Sequence, residues 1–279
     1  MISGRTQVFG VLGWPVEHSL SPAMQCAAMA DAGLDATYVA LPVPPAGLAA
    51  AVRGAHALGV RGLNVTVPHK EPVAELCERL DPIASRVGAV NTLSRLDEGW
   101  AGHNTDAPAA RGLLSEAGIG PRSRALVLGA GGAARAAAWA LLELGAETLV
   151  AARRPEVAAV LCRELALSLG KPESLARPVS WAEASEKAIR ADAVVNATSL
   201  GLPGKSGELP PLAWRTGQVA LDFVYGDTPF SRSARDAGTH LITGEQVLVR
   251  QGALAFRIWF DRHASEAVMA RAIVRSGGR

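Results

Sequence analysis

Residues 64–70 read "NVTVPHK", and they place an amide (Asn64), a hydroxyl (Thr66) and an ammonium (Lys70) at the end of an apolar run. The alternation predicts a strand with Val65 and Val67 on one side and Asn64 and Thr66 on the other. Pro68 cannot donate to a ladder, so the strand should stop there and release Lys70 into a loop. Three polar groups of different chemistry converging on one strand end are either an active site or an ordinary polar rim. A second stretch, "GWPVEHSLSPAM", offers Ser19 and Ser21 two residues apart. In an extended loop both hydroxyls can turn toward one bound group. The competing reading is capping, because Ser21-Pro22 is a good N-cap and first-turn pair. His18 reads as a structural hydrogen-bonding residue.

The third stretch is "ALVLGAGGAARAA", a strand, a glycine turn and a helix in succession. Gly129 permits the tight turn, Gly131 lets a pyrophosphate approach the backbone, and Ala134 allows close packing of helix on strand. Gly129, Ala130, Gly131, Gly132 and Ala133 would then present helix N-terminal amides to phosphate. An NAD site usually carries an acidic residue about 20 residues further on, at the end of the next strand. Here that strand ends "VAARRPE", with Arg153 and Arg154 in place of a carboxylate. Two guanidiniums suit a 2′-phosphate, so NADP is favoured; Glu156 keeps NAD open.

Elements that could hold these stretches follow from the patterning. Strands at "TQVFGVLGW", "ATYVALPV" and "VRGLNVTVP" alternate with helices from about residue 21 to 32, at "PAGLAAAVRGAHAL" and at "KEPVAELCERL". A hairpin turns around Asp97 to Gly99. This predicts a mostly parallel sheet carrying helices. From Asp106 a second βα series begins and continues through "ADAVVNATSLGL" and "QVALDFVYG". After about residue 239 "GEQVLVRQGALAFRIWF" reads as an amphipathic helix, with Val247, Leu248, Ala255 and Trp259 at helical spacing. The fold class is therefore α/β with two domains. An N-terminal α/β domain, 1–105, is completed by C-terminal helices in 240–279, and a Rossmann-like doubly wound dinucleotide-binding domain, 106–239, is inserted in it.

Composition narrows the partners. The 279 residues include 28 basic and 26 acidic side chains, a net charge of +2, so neither nucleic acid nor a membrane surface is expected. Hydrophobic residues make up 49% and charged residues 19%, enough apolar content for a sizeable core. Cys26, Cys77 and Cys162 lie far apart with no metal-ligand spacing, so no metal is expected and a reducing, cytoplasmic setting is. The first residues lack the charged lead and apolar run of a signal peptide.

"GWPVEHSLSP", "NVTVPHK", "GAVNT", "HNTD", "GAGGAA", "NATSLGL", "DFVY" and "LVRQGALAFRIW" occur in an order and spacing that resembles the shikimate dehydrogenases, from about residue 8 to residue 260. The resemblance implies reversible NADPH-dependent reduction of 3-dehydroshikimate to shikimate, in the pathway to the aromatic amino acids. It implies that Lys70 is catalytic and that Asp106 of "NTD" works beside it. Ser19 and Ser21 match the pair that holds the substrate carboxylate, assisted by Tyr225. Thr66, on the strand that also carries Asn64, matches a substrate-binding position, and Asn91 and Gln251 match residues that bond ring hydroxyls. Phe223 and Gly244 match positions near the nicotinamide. Ala152-Arg153-Arg154 stands where the family usually has Asn-Arg-Thr, and Val157 where it has a later basic residue. An NAD-dependent quinate/shikimate dehydrogenase and a non-catalytic metabolite-binding relative are the alternatives; Ser21, where quinate-preferring relatives often carry threonine, leans toward shikimate. A homodimer stays open as the assembly.

Overall fold

The structure is a computed structural model, and it describes residues 2–200 and 207–277. Gly201 and Leu202 of "NATSLGL" lie outside the described residues. The chain divides into two compact units, 1–105 with 248–279, and 106–247.

The first unit is built on a six-stranded sheet. Its elements are β1 (Gln7–Gly13), α1 (Ser21–Asp31), β2 (Ala36–Pro42), α2 (Leu48–Ala57), β3 (Gly62–Val65), β4 (Arg79–Leu80), α3 (Pro82–Val87), β5 (Thr92–Arg95) and β6 (Trp100–His103). Strand order is β2-β1-β3-β5-β6-β4. The β1, β2 and β3 strands are parallel, whereas β5 is antiparallel to both β3 and β6. The sheet is thus more mixed than the alternation predicts, because the hairpin at 96–99 is wedged into it. The period of two along β1 sends Phe9 and Val11 to one face and Leu12 to the other. Leu12 joins Val52, Leu63, Val65, Leu93 and Trp100 beneath α2. Phe9 and Val11 join Met24, Tyr38, Phe256 and Met269 beneath the helices of the opposite face.

Two expectations fail here. "KEPVAELCERL" is not a helix: it forms a short 3-10 turn, Pro72–Leu76, and then β4. Cys77 is extended at the turn's end, and Arg79 and Leu80 pair with Ala101 and Gly102, so tertiary pairing overrides helical propensity. The third strand also ends earlier than expected, at Val65, leaving Thr66 just beyond it.

The second unit holds α4 (Asp106–Glu116), β7 (Arg124–Leu128), α5 (Gly132–Glu143), β8 (Glu147–Ala152), α6 (Pro155–Ser168), β9 (Ala176–Ser180), α7 (Ala184–Arg190), β10 (Ala193–Asn196), β11 (Val219–Asp222), α8 (Pro229–Asp236) and β12 (His240–Ile242). Its sheet has the order β12-β11-β10-β7-β8-β9, and every neighbouring pair is parallel. The order reverses at β7, which is the doubly wound pattern. β12 pairs with β11, and the compact unit runs to Val247, past residue 239. Three residues with an exposed His240 gave too weak a periodic signal to be read as a strand. The chain continues in α9 (Gly244–Phe260) and α10 (Glu266–Gly277).

Candidate active site

The polar groups of the first unit form one buried network on β3, β5 and the segment after β6. Tyr38 Oη donates to Asn64 Oδ1 at 2.7 Å, and Asn64 Nδ2 donates to Thr92 Oγ1 at 3.0 Å and to the Asn91 carbonyl at 3.2 Å. Asn91 Oδ1 accepts from the Thr105 amide at 2.7 Å, while Asn91 Nδ2 reaches Thr105 Oγ1 at 3.0 Å and Gln251 Oε1 at 3.4 Å. Gln251 is fixed in turn through Nε2 to the Leu248 carbonyl at 2.9 Å. Burial raises the Tyr38 phenol well above its usual range, against the opposing effect of a hydrogen bond with Ser21, so it stays a proton donor. These bonds hold the Asn64 amide in a fixed orientation beside Asn91. Tyr38, Thr92 and Thr105 were missed in the sequence because they look like ordinary strand or loop residues.

Lys70 sits at the end of a braced loop. The Thr66 amide donates to the Leu12 carbonyl at 2.8 Å, the Trp14 amide to the Val67 carbonyl at 3.0 Å, and the Val90 amide to the Lys70 carbonyl at 2.7 Å. The buried His69 ring donates from Nε2 to the Val43 carbonyl at 2.7 Å. Backbone on both sides of Lys70 is therefore fixed, and its half-buried side chain starts from a set point. Ser21 does not cap α1: the N-cap residue is Leu20 and no side chain caps it. Ser19 Oγ instead accepts from the Ser21 amide at 3.3 Å.

In the second unit the glycine turn lies at the point where strand order reverses. Gly129 has φ of 113°, and a Cβ there would stand 2.8 Å from the Ala197 carbonyl, which follows β10. Only glycine fits both the backbone angle and that approach. Gly131 is the N-cap of α5 without any side-chain cap, so amides at a twelve-residue helix start are available for an anion. Arg153 and Arg154 follow β8 and are exposed, and the Arg154 carbonyl accepts from Val157 to begin α6. These residues fit a dinucleotide with an additional phosphate. After β11, Phe223 donates its amide to the Asn196 carbonyl at 2.9 Å, and a Cβ on Gly244 would stand 2.5 Å from the Val224 and Tyr225 backbone. Asp106 is buried at the start of α4. Asp222 and Asn196, both fully buried and bonded to each other at 2.9 Å, were not singled out from the sequence.

Comparison with known proteins fits this arrangement. The family model described as the shikimate dehydrogenase substrate binding domain matches residues 11–93, and that of the shikimate 5'-dehydrogenase C-terminal domain matches residues 244–274. A shikimate dehydrogenase (NADP(+)) of Anaeromyxobacter sp. (strain K) is 60% identical over 280 residues, covering 100% of each chain. The chain belongs to the shikimate dehydrogenase family. Solved members share its fold. A shikimate dehydrogenase in complex with NADP+ superposes with a TM-score of 0.90 at 35% identity, covering 99% of this chain and 97% of its own. The Thermus thermophilus enzyme in complex with NADP(H) and shikimate gives 0.82 at 38% identity, covering 97% and 99%. No described helix is long and apolar enough to cross a membrane.

Proposed function

We propose that this chain is an NADP-dependent oxidoreductase acting on a CH–OH group, a shikimate dehydrogenase that reversibly reduces 3-dehydroshikimate to shikimate on the route to the aromatic amino acids. Full-length identity of 60% to an enzyme of that name carries the reading. NADPH, when bound, supplies hydride to the ketone carbon. The chain's own residues do the rest. Lys70 meets the ketone oxygen, stabilising charge that builds there and delivering the proton. Asp106 shares the acid–base work. Ser19, Ser21 and Tyr225 hold the substrate carboxylate, while Thr66, Asn91 and Gln251 direct hydrogen bonds to ring hydroxyls. Asn64 keeps Asn91 in place.

A polyhydroxylated acid needs such fixed neutral partners, since a site built to bond hydroxyls rejects analogues that lack them. Residues 1–105 with 248–279 would form the substrate unit and 106–247 the dinucleotide unit. Gly129 to Ala133 take the pyrophosphate, Arg153 and Arg154 the 2′-phosphate, and Phe223 and Gly244 flank the nicotinamide. The free cysteines support a cytoplasmic setting, and a homodimer is the assembly to test. A spectrophotometric assay crossing shikimate and quinate with NADP+ and NAD+ tests the reading. Turnover should be greatest with shikimate and NADP+, and quinate with NAD+ as the best pair would overturn it.

A further inference from the structure

Asp222 ends β11 at the carboxyl edge of the second sheet and is fully buried. Its Oδ1 accepts from Asn196 Nδ2 at 2.9 Å and from the Val224 amide at 3.0 Å, and Oδ2 accepts from the Thr228 hydroxyl at 2.6 Å. All three donors are neutral. Among the described residues no cationic side chain is bonded to it. Glu245 of α9 is a second carboxylate, bonded to the Gly226 amide at 2.7 Å. The guanidiniums of Arg232 and Arg235 on α8 are engaged with Asp227. His240 stands at the far end of β12, opposite Val219.

Burial pushes the Asp222 carboxyl up to about 6, against three hydrogen bonds that pull it down and with Glu245 adding to the rise. At neutral pH the protein therefore holds a buried carboxylate bonded to no cation among the described residues, an arrangement that an amide would make cheaper. Its place in the chain points to the charge it can meet. The carboxylate grips the Val224 amide, one residue beyond Phe223, and Gly244 packs against the same Val224–Tyr225 backbone. Phe223 and Gly244 are the positions assigned above to the nicotinamide. That ring is neutral when reduced and cationic when oxidised.

We propose that Asp222 is a specificity-determining residue whose unpaired carboxylate makes the site favour NADP+ over NADPH. The proposal rests on the reading of Phe223 and Gly244 as nicotinamide positions. It gives the buried charge a role in the reaction: positive charge that grows on the ring as hydride leaves finds a fixed negative partner. Both cofactors carry the same phosphates, so titration of the 2′-phosphate cancels in the ratio of their affinities.

The test is equilibrium binding of NADP+ and of NADPH by calorimetry, with no substrate present, to the full chain and to Asp222→Asn. The amide keeps an acceptor for Asn196 and Val224, removes the charge and turns the Thr228 contact around, a change that the Thr228 variant below controls for. Asp222→Asn should weaken NADP+ by about tenfold, the scale of one partly screened charge–charge contact, and leave NADPH within about twofold. Thr228→Val, which removes the hydroxyl that bonds Asp222 and caps α8 at the Ser231 amide but keeps the carboxylate, should leave the ratio unchanged. In the unaltered chain the preference for NADP+ should shrink as pH falls from 7.5 through about 6, and that arm needs no variant to fold. A ratio that stays constant with pH and in Asp222→Asn overturns the proposal while leaving the function standing. Failure of the unaltered chain to bind either cofactor overturns both.

Discussion

The polar network of the first unit and the glycine turn of the second solve recognition in opposite ways. Around Asn64, Asn91 and Gln251, side chains are bonded to one another and buried, so direction is set by groups that cannot turn. Across Gly129 to Ala133 there is no polar side chain, and backbone amides are what the turn offers. A small hydroxylated acid has to be distinguished from near relatives, which calls for side chains with fixed donors and acceptors. A pyrophosphate presents the same oxygens in every dinucleotide, and helix-end amides suffice. The first kind of site should be broken by removing an atom, and the second by adding one.

The largest effect should come from Lys70, whose charge matters to the reaction step more than to binding. The ketone oxygen needs a positive partner only as hydride arrives, so Lys70→Ala should lower kcat by about 10²–10⁴-fold with KM little changed. Asp106→Ala should lower kcat and also raise KM. The double variant should fall short of the product of the two, because groups acting as a unit are not additive. Steady-state kinetics on the three variants decide it, and a Lys70→Ala enzyme with the kcat of the parent would remove the mechanism.

What could be read ahead of the structure follows the same division. The glycine turn announces itself because its requirement is local: a strand, a φ of 113° at Gly129 and a helix start are contiguous in the chain. Lys70 and the serine pair could be named because the motifs around them match a family. Asn64 stands out in its motif, whereas Tyr38, 26 residues away, gives no sign in the sequence of being its partner. Pairing across a sheet is non-local, and no pattern in either strand encodes it. The same cause hid β4 and β12, whose two and three residues are held by neighbours rather than by their own periodicity. Asp222 escaped for a different reason. A lone aspartate at a strand end looks solvated until its burial is seen.

Arg153 and Arg154 test whether any side chain matters to the grip of the second unit. Changing both to Ala should weaken NADP+ by about 2–4 kcal/mol, two charge-assisted contacts with partial overlap, and barely alter NAD+. Equal loss for both cofactors would mean the pair supports the start of α6 instead. Binding titrations with each cofactor separate the outcomes.

Ser19 and Ser21 return to the first unit. Neither hydroxyl caps α1 in the way a capping serine does, so their loss should be felt by the ligand more than by the helix. The double change to Ala should raise KM for shikimate by about 10- to 100-fold, the scale of a hydrogen bond to a charged group. Stability should fall by only about 1–2 kcal/mol, from the contact of Ser21 with Tyr38 and of Ser19 with the Ser21 amide. Thermal unfolding run beside the kinetics would expose the opposite pattern, a large loss of stability with KM intact, which would make the pair structural.

Gly129→Ala carries the smallest expected effect and the most direct contrast, because it adds one methyl group and removes nothing. The new Cβ would meet the Ala197 carbonyl at 2.8 Å, and its residue would be held at a φ of 113° that L-side chains rarely adopt. Strain of that kind costs about 1–3 kcal/mol, and the turn can relieve it only by moving away from β10. The variant should therefore melt earlier and bind NADP+ and NAD+ more weakly by a similar factor, since the displaced amides serve the phosphates common to both. Ala130→Gly, one residue along, is the control: it deletes a side chain from the same turn and should leave the ratio of the two affinities as it was. If Gly129→Ala kept its melting temperature and both affinities, the turn would be neither strained nor a phosphate cradle. If instead Ala130→Gly weakened one cofactor alone, side chains would be choosing the ligand there, and the division between the two kinds of site would fail.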